Sequence, residues 1–272
     1  MQFTDTHTHL YLEEFDHDRD EMINRAINAR VTQMFLPNID SRTVDAMLKL
    51  SAQFPENCFP MMGLHPTSVK AGYREELEKV EALLENPPVK FYAVGEMGVD
   101  LYWDKTFYKE QVEVFTRQLE LSMRHNLPVV IHTRNSMDIV LDIIEKMSNP
   151  ALFGIFHCFG GNKAQAVRAS GLGFKLGIGG VITYKNSGLQ SVVEETDLEH
   201  LVLETDSPFL TPAPDRGKRN ESSYIPVIAQ KIAEIKKISL DEVAEITTKT
   251  AIELFKPQTC LPAGRGAETQ RK

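Results

Sequence analysis

The sequence predicts an α/β protein, a (β/α)8 barrel of the TIM type with an extra C-terminal helix. Two observations support this fold class. Eight short apolar or β-branched runs recur along about 255 residues, and segments with helical periodicity separate them. Strands that alternate with helices pair in parallel, and eight such units in a chain of this length match the usual size of a barrel.

Several of the eight runs are apolar without interruption, as at residues 129–131 and 201–203. Strands that are buried on both faces have this composition. An open doubly wound sheet is the alternative, but it requires a glycine-rich loop after the first strand, where this chain has Thr6-His7-Thr8-His9. The barrel is therefore favoured, with strands predicted at residues 2–6, 32–37, 57–62, 90–95, 128–131, 152–156, 173–178 and 200–203.

The ends of two helices can also be read from the sequence. The longest helical pattern covers residues 107–125 and stops at Asn126. Ser239 and Glu242 fit a capping box, in which the serine side chain accepts a hydrogen bond from the third residue of the helix. We expect this box to open the extra helix at the end of the barrel.

The composition is that of a soluble globular protein, with 42% hydrophobic and 25% charged residues. Nothing approaches the roughly 18 consecutive apolar residues of a membrane helix. Cys58, Cys158 and Cys260 form no Cys-x-x-Cys pair, and their odd number argues against a disulfide framework. We expect a cytoplasmic protein without a membrane partner.

Residues 1–255 are assigned to the barrel, and residues 256–272 are expected to form a flexible tail because they contain prolines, glycines and scattered charges. The chain has a formal net charge of −8; the tail holds four basic residues and one acidic residue, so the barrel carries −11. A barrel with this net negative charge does not bind duplex DNA through nonspecific electrostatic attraction to the phosphates. An anionic substrate would need a local positive feature, for which the candidates are bound metal and the basic residues Arg216, Lys218 and Arg219.

Two histidines, His7 and His9, stand two residues apart at the end of the first predicted strand. The period of a strand places both side chains on one side, so both imidazoles can reach one ion. A His-x-His pair alone is not specific, because histidine is also a common structural residue.

Other metal-competent side chains follow later apolar runs directly. They come after the fourth, fifth, sixth and eighth predicted strands, on the face where barrel enzymes place their active sites. We therefore predict that six side chains converge on metal: His7, His9, Glu96, His132, His157 and Asp206.

Six ligands exceed what one four-coordinate zinc ion with an open position uses. Two divalent ions that share a carboxylate would use all of them, and Glu96 is the predicted bridge because it comes from the middle of the series. Histidines with carboxylates suit Zn, Mn, Fe or Co, and a weakly held pair could exchange for Mg.

The remaining polar residues near the strand ends receive supporting roles. His65 is expected to contact substrate or a metal ligand. Glu204 is expected to orient a metal-binding side chain without binding the metal itself. Arg219 and Asn220 are expected to hold a phosphate, although a solvated loop explains them nearly as well. Glycines after the sixth and seventh strands provide either turn geometry or room for a substrate: Gly160, Gly161, Gly177, Gly179 and Gly180.

The motifs that carry these residues resemble, in the same order, those of the TatD family of metal-dependent hydrolases, within the amidohydrolase-like barrels. They read DTHTHL from Asp5, GLHP from Gly63, GEMGVD from Gly95, IHTR from Ile131, HCF from His157 and LETDSP from Leu203. The resemblance spans about residues 3–255. It implies a TIM-type barrel, two divalent metals and phosphodiester hydrolysis, usually as a deoxyribonuclease.

Three departures from the family pattern bear on substrate preference. This chain has Asn220-Glu221-Ser222 where the family often has Asn-Glu-Pro, and Cys158-Phe159-Gly160-Gly161 where it usually has Cys-Phe-Ser-Gly. Leu101-Tyr102-Trp103 stands where two tyrosines are common. None of these positions is a predicted metal ligand.

The expected chemistry is two-metal hydrolysis with Asp206 as general base. Because the body is acidic, single-stranded or frayed DNA ends are the expected substrate. The alternative is a hydrolase of a small cyclic amide, lactone or phosphoester that uses the same metal pair. A metal-stabilised binding module is less favoured, since a structural zinc site is closed by four ligands that are mostly cysteines.

Overall fold

Eight parallel strands alternate with helices through residues 1–256, the part of the chain that the computed structural model describes. Apart from Lys256, the expected flexible tail lies outside the described residues, as does Cys260. The strands are β1 Phe3–Asp5, β2 Val31–Pro37, β3 Cys58–Met61, β4 Val94–Asp100, β5 Val129–Arg134, β6 Gly154–Phe156, β7 Lys175–Ile178 and β8 Leu201–Leu203.

Helices follow the strands in turn, and one further helix ends the described chain. They are α1 Arg19–Asn28, α2 Val44–Gln53, α3 Tyr73–Glu85, α4 Tyr108–His125, α5 Met137–Met147, α6 Lys163–Gly171, α7 Leu189–Glu195, α8 Ile225–Lys236 and α9 Leu240–Phe255. Across residues 1–256, no helix has the length and apolar composition that crossing a membrane requires.

The sheet closes into a barrel through two contacts. The strands pair in chain order in two stretches, β1 to β3 and β4 to β8. A parallel bridge between Met62 and Val94 joins β3 to β4. The Thr6 amide donates a hydrogen bond of 2.9 Å to the Leu203 carbonyl, which joins β8 back to β1. The predicted barrel is confirmed.

Strand β4 differs from its prediction. Residues 90–95 were expected to be extended, whereas β4 covers Val94–Asp100 and therefore contains Glu96. Its register against β5 shifts between Val94 and Met97. The apolar run marks only the start of the strand, because the second half carries polar side chains toward the open end of the barrel. His132 lies within β5 for the same reason.

The extra helix α9 covers the end of the barrel where the strands begin. Its last turn packs against apolar side chains of the barrel interior, and the Phe255 ring stacks on Phe35 at 4.3 Å between centroids. At its start, the Ser239 side chain accepts a hydrogen bond of 3.2 Å from the Glu242 amide, as predicted. With this end filled, a ligand reaches the barrel from the opposite end.

Helix α4 also ends as predicted. Asn126 adopts the left-handed conformation, with φ of 50°, and Phe115 and Leu119 are buried against the barrel. Asparagine is one of the few residues that tolerate this conformation at low cost.

Candidate metal centre

Strand periodicity explains why polar side chains meet at the open end of the barrel. Val130, Ile155 and Val202 belong to the apolar cluster that fills the interior. Two residues further along the same strands stand His132, His157 and Glu204. Since side chains alternate across a strand, these three polar residues continue the inward-facing rows into the mouth of the barrel.

The carboxylate of Glu96 lies at the middle of the centre. Its Oε2 atom is 3.1 Å from His7 Nε2 and 3.5 Å from His9 Nε2. Its Oε1 atom is 2.8 Å from His132 Nδ1 and 2.7 Å from His157 Nε2. The two oxygens of one carboxylate therefore face two separate pairs of imidazoles.

Asp206 and His65 complete the cluster on opposite sides of Glu96. Asp206 Oδ1 lies 3.6 Å from the Nε2 atoms of both His7 and His9. His65 Nε2 lies 3.1 Å from Glu96 Oε1. The structure thus brings the six predicted ligands together and adds His65 to them.

The donor set fits divalent metal. Three groups of donor atoms lie within 4.8 Å of one another: His7, His157 and Asp206; His7, His9 and Glu96; and His65, Glu96 and His132. Imidazole nitrogens and carboxylate oxygens are the ligands that Zn and Mn take. In the described chain, His7 Nδ1 and His157 Nδ1 are buried without a hydrogen-bond partner, while the Nε2 atoms of both residues face Glu96.

The buried groups of the centre differ in charge. Burial would lower the pKa values of His9, His132 and His157, but neighbouring acidic side chains raise all three above the ordinary value, so these imidazoles would have to release a proton to bind metal. Burial and the neighbouring charge of His157 lower the pKa of His7 to about 3, so its imidazole is neutral, the form in which it binds metal. Burial alone would raise the pKa of Glu96, but the surrounding histidines, His157 first, hold it well below its ordinary value. Burial likewise opposes ionisation of Asp206, yet the nearby imidazole of His9 and the charge of His157 lower its pKa.

The comparison with known proteins decides which family has this centre. A model of the family described as TatD related DNase matches residues 4–256. The chain belongs to this family. The metal-dependent hydrolase YabD of Bacillus subtilis strain 168 is 37% identical over 253 residues, which are 93% of this chain and 98% of that protein.

Two further TatD relatives extend the comparison. The crystal structure of YjjV, a TatD homologue from Escherichia coli K12, superposes with a TM-score of 0.88 at 30% identity, covering 93% of this chain and 98% of that one. The human protein named deoxyribonuclease TATDN3 is 29% identical over 263 residues, 92% of this chain and 93% of its own. The resemblance read from the motifs is confirmed, and the protein is a member of a family of metal-dependent hydrolases.

Glu204 lies behind the TatD centre rather than in it. Its side chain is fully buried, its Oε1 accepts a hydrogen bond from the Cys158 amide, and the same oxygen is 3.7 Å from His157 Nδ1. A Cβ atom at Gly177 would lie 2.1 Å from Glu204 Oε2. The glycine at this position therefore makes room for Glu204 and not for a substrate.

Asp100 is a residue of the centre to which the sequence analysis gave no role. Its Oδ2 lies 3.0 Å from His132 Nε2, and its Oδ1 accepts a hydrogen bond of 2.9 Å from the Tyr102 amide. A signal for it was present, because Glu96, Gly98 and Asp100 alternate at the period of a strand. The predicted strand stopped at residue 95, which hid that alternation.

Asp5 is a second such residue, buried beneath the centre. Its Oδ1 accepts hydrogen bonds from the amides of His7, at 3.3 Å, and Thr205, at 3.0 Å. Its Oδ2 accepts from the hydroxyls of Thr205 and Ser222. Burial raises the pKa of Asp5 to about 7 despite these hydrogen bonds. The carboxyl group joins the segment of His7 to the segment of Asp206.

The structure does not bring Arg219 and Asn220 to the centre. The Arg219 guanidinium donates to both carboxylate oxygens of Asp18, at 2.6 and 2.7 Å, and lies over the Phe15 ring. The Asn220 side chain donates to the carbonyls of Thr205 and Phe209. Because both groups are committed to contacts within the chain, they hold the loop after β8, and we do not assign them the expected phosphate contact.

A cavity of about 620 Å³ opens over the metal centre. His9, His65, Glu96, His132 and Asp206 line it on the side of the centre. Its other lining residues come from the ends of β4 and β5 and from the segments after β2, β3, β4, β6, β7 and β8, among them Trp103, Arg134, Phe209 and Leu210. Among the lining residues of the described chain, Arg134 is the only lysine or arginine. The local positive side chain of this site is therefore Arg134 and not the predicted cluster of Arg216, Lys218 and Arg219.

Proposed function

We propose that the protein is a two-metal phosphodiesterase, a deoxyribonuclease that acts on single-stranded or frayed DNA ends. One observation carries the proposal. The two oxygens of Glu96 face different imidazole pairs, His7 with His9 and His132 with His157. Two divalent ions, with Zn, Mn or Mg as the candidate metals, would be held by these imidazoles with Glu96 shared between them, and would supply the activated water of two-metal hydrolysis.

The side chains divide the work of hydrolysis. Bound divalent ions would acidify a water and offset the negative charge that develops on the phosphoryl oxygens. Asp206 is ionised and stands at the cavity, where it takes the proton of the attacking water as general base. Glu96 contacts both imidazole pairs, and His65 contacts and orients its Oε1 atom, the oxygen that faces His132.

The charge of the protein supports a short, single-stranded substrate. A barrel of −11 repels a long polyanion. Two of the three basic residues of the loop after β8 form ion pairs within the chain, Lys218 with Asp215 and Arg219 with Asp18, and the third, Arg216, lies over the Tyr184 ring. A strand end can enter the cavity, whereas a rigid duplex cannot. The name of the human relative, a deoxyribonuclease, supports DNA as the substrate class.

A small-molecule hydrolase is the second candidate. The cavity of about 620 Å³ lies within the range of pockets that enclose small ligands, roughly 300–1,000 Å³. A cyclic amide, a lactone or a small phosphoester would fit, and an activated water attacks carbon or phosphorus alike.

Turnover of two substrate panels separates these functions. Metal-loaded protein is offered single-stranded and duplex oligodeoxynucleotides in one panel, and lactones, cyclic amides and small phosphoesters in the other. We expect cleavage of single strands, abolished by Glu96→Gln and retained by Glu113→Gln, which changes an exposed glutamate of α4. Turnover of lactones without cleavage of any oligonucleotide would overturn the proposal.

Metal content and salt dependence test the remaining parts. Protein purified without chelator should hold two divalent ions per chain, and a single ion would contradict the bridging role of Glu96. Binding of a short single strand should weaken with salt at a slope of about 0.7 per neutralised phosphate, for roughly one to three phosphates. A slope that implies six or more would contradict the local mode of binding.

A further inference from the structure

Exposed apolar side chains gather at the mouth of the cavity. Of the nine large hydrophobic residues exposed within residues 1–256, four lie in two short segments there, Tyr102 with Trp103 and Phe209 with Leu210. Trp103 is 71% exposed and Tyr102 is 53% exposed. A soluble protein seldom exposes an indole to this extent without a binding role.

Tyr102 and Trp103 are arranged with Arg134 as a unit, which we name the aromatic platform. The two rings pack edge to face, with centroids 4.8 Å apart and planes at 89°. The guanidinium of Arg134 lies 3.8 Å from the centroid of the Tyr102 ring and 5.2 Å from that of Trp103. Stacking of arginine on aromatic rings orients the guanidinium while leaving its N–H groups free to bind.

The aromatic platform is joined rigidly to the metal centre. The Tyr102 amide donates to Asp100 Oδ1, and the Asp100 Oδ2 atom contacts His132. The Leu101 amide donates a hydrogen bond of 2.9 Å to the carbonyl of Arg134, at the end of β5. The start of the loop after β4 is thus held by hydrogen bonds to the end of β5 and to Asp100, the residue that contacts His132.

We propose that the aromatic platform is the subsite for a nucleobase of a single strand, next to the phosphate that is cleaved. The base stacks on the exposed Trp103 indole, and Arg134 contacts a neighbouring phosphate. This inference rests on the proposed function, since it names the part of the nucleic acid that the same site recognises.

Three observations favour this occupant. The platform adjoins the cavity, because Trp103 and Arg134 both line it. It presents a flat aromatic face, on which any base can stack. It also supplies the only lysine or arginine among the described residues that line the cavity, in a barrel that is otherwise strongly acidic. An uncharged apolar ligand would use the rings but not the guanidinium.

Fluorescence reports on the proposed contact directly, because Trp103 is the only tryptophan of the chain. Metal-loaded protein is titrated with a short phosphorothioate oligothymidylate and, separately, with an abasic phosphorothioate oligomer of the same length. We expect the first to quench Trp103 and the second to leave its emission unchanged. Equal quenching by both would show a phosphate contact without base stacking and would overturn the proposal.

Variants measure the strength of the contact through the anisotropy of a labelled oligonucleotide. Trp103→Ala should raise Kd about 5- to 150-fold, as loss of one base stack does, and should raise KM with little change in kcat. Trp103→Phe keeps a ring and should retain most of the affinity. Tyr108→Ala removes another exposed aromatic side chain, outside the cavity lining, and should bind as the wild type does.

The outcomes separate this inference from the proposed function. If Trp103→Ala binds and cleaves oligonucleotides as the wild type does, the base subsite is refuted and the phosphodiesterase stands. If the oligothymidylate quenches Trp103 but no oligonucleotide is cleaved, the phosphodiesterase is refuted and the base contact stands. If Trp103→Ala turns a dimer into a monomer on size exclusion, the platform is an interface between copies and the base subsite is refuted.

Discussion

Asp100 and Glu96 hold the His132 ring from its two sides. His132 Nδ1 is 2.8 Å from Glu96 Oε1, and His132 Nε2 is 3.0 Å from Asp100 Oδ2. Burial would raise the pKa of Asp100, but its hydrogen bonds with His132 and with the Tyr102 amide lower it. The carboxylate thus accepts a hydrogen bond from the Nε2–H group, which leaves the Nδ1 lone pair directed at the centre. A contact of this kind fixes the tautomer of a metal-binding histidine.

Asp100→Asn should therefore weaken metal binding while leaving the ligands themselves intact. We expect a loss of about 10- to 100-fold in metal affinity, the usual effect of removing such a partner. Competition with a chromophoric chelator measures it. Asp104→Asn is the matched control, since that aspartate is exposed and pairs with Lys70. Unchanged affinity in Asp100→Asn would remove its role in holding His132.

Asp206→Asn should lower turnover far more than it lowers stability. The substitution keeps the shape of the side chain but removes its negative charge and its capacity to accept a proton. General base catalysis typically contributes about 10²- to 10⁴-fold to the rate, so kcat should fall by about that factor. The melting temperature of the metal-free protein should change little. Asp215→Asn is the control, because it removes a negative charge from the loop after β8, where Asp215 pairs with Lys218. Near-normal rates for Asp206→Asn would exclude it as the base.

Arg219→Ala and Arg134→Ala should change different properties of the protein: the first should lower its stability, and the second should raise its KM for an oligonucleotide. Arg219 pairs with Asp18 and covers Phe15, so its loss should cost about 1 kcal/mol of stability and leave KM for an oligonucleotide unchanged. Arg134 lines the cavity, so its loss should raise KM with little change in stability. Denaturant unfolding and steady-state kinetics test both variants. A higher KM for Arg219→Ala alone would restore the phosphate role that the sequence suggested.

The ion pairs of Asp18 should make stability depend on pH in acid. Hydrogen bonds from Arg219 and then Arg25 hold the pKa of Asp18 well below its ordinary value. The stabilisation is thus complete above the unfolded pKa, about 3.9, and is lost as pH falls toward the folded pKa. Asp18→Asn should be less stable than wild type at pH 7, and the difference should shrink below about pH 4. Asp16→Asn, which breaks a more exposed pair with Arg19, should show a smaller difference at pH 7.

Much of the fold and the centre follows from the sequence alone, because strand periodicity is a local property. Apolar runs separated by helical segments predict the barrel, and the residues that follow these runs predict the six ligands. His132 and His157 can be placed in this way because each lies two residues beyond an inward-facing apolar side chain. Asp100 follows Glu96 and Gly98 at the same spacing of two, and its place is not predicted because the apolar run ends at residue 95, before the end of β4.

Contacts that depend on ring closure could be decided only by the tertiary structure. Closure brings β8 beside β1, so that Arg219 meets Asp18, a residue 201 positions away in the chain. The loop that carries Arg219 reads from the sequence as a basic cluster, the composition of a phosphate site. Its guanidinium is instead held by a carboxylate that no local pattern connects to it. Local periodicity sets which way a side chain points, but the closed barrel determines what that side chain meets.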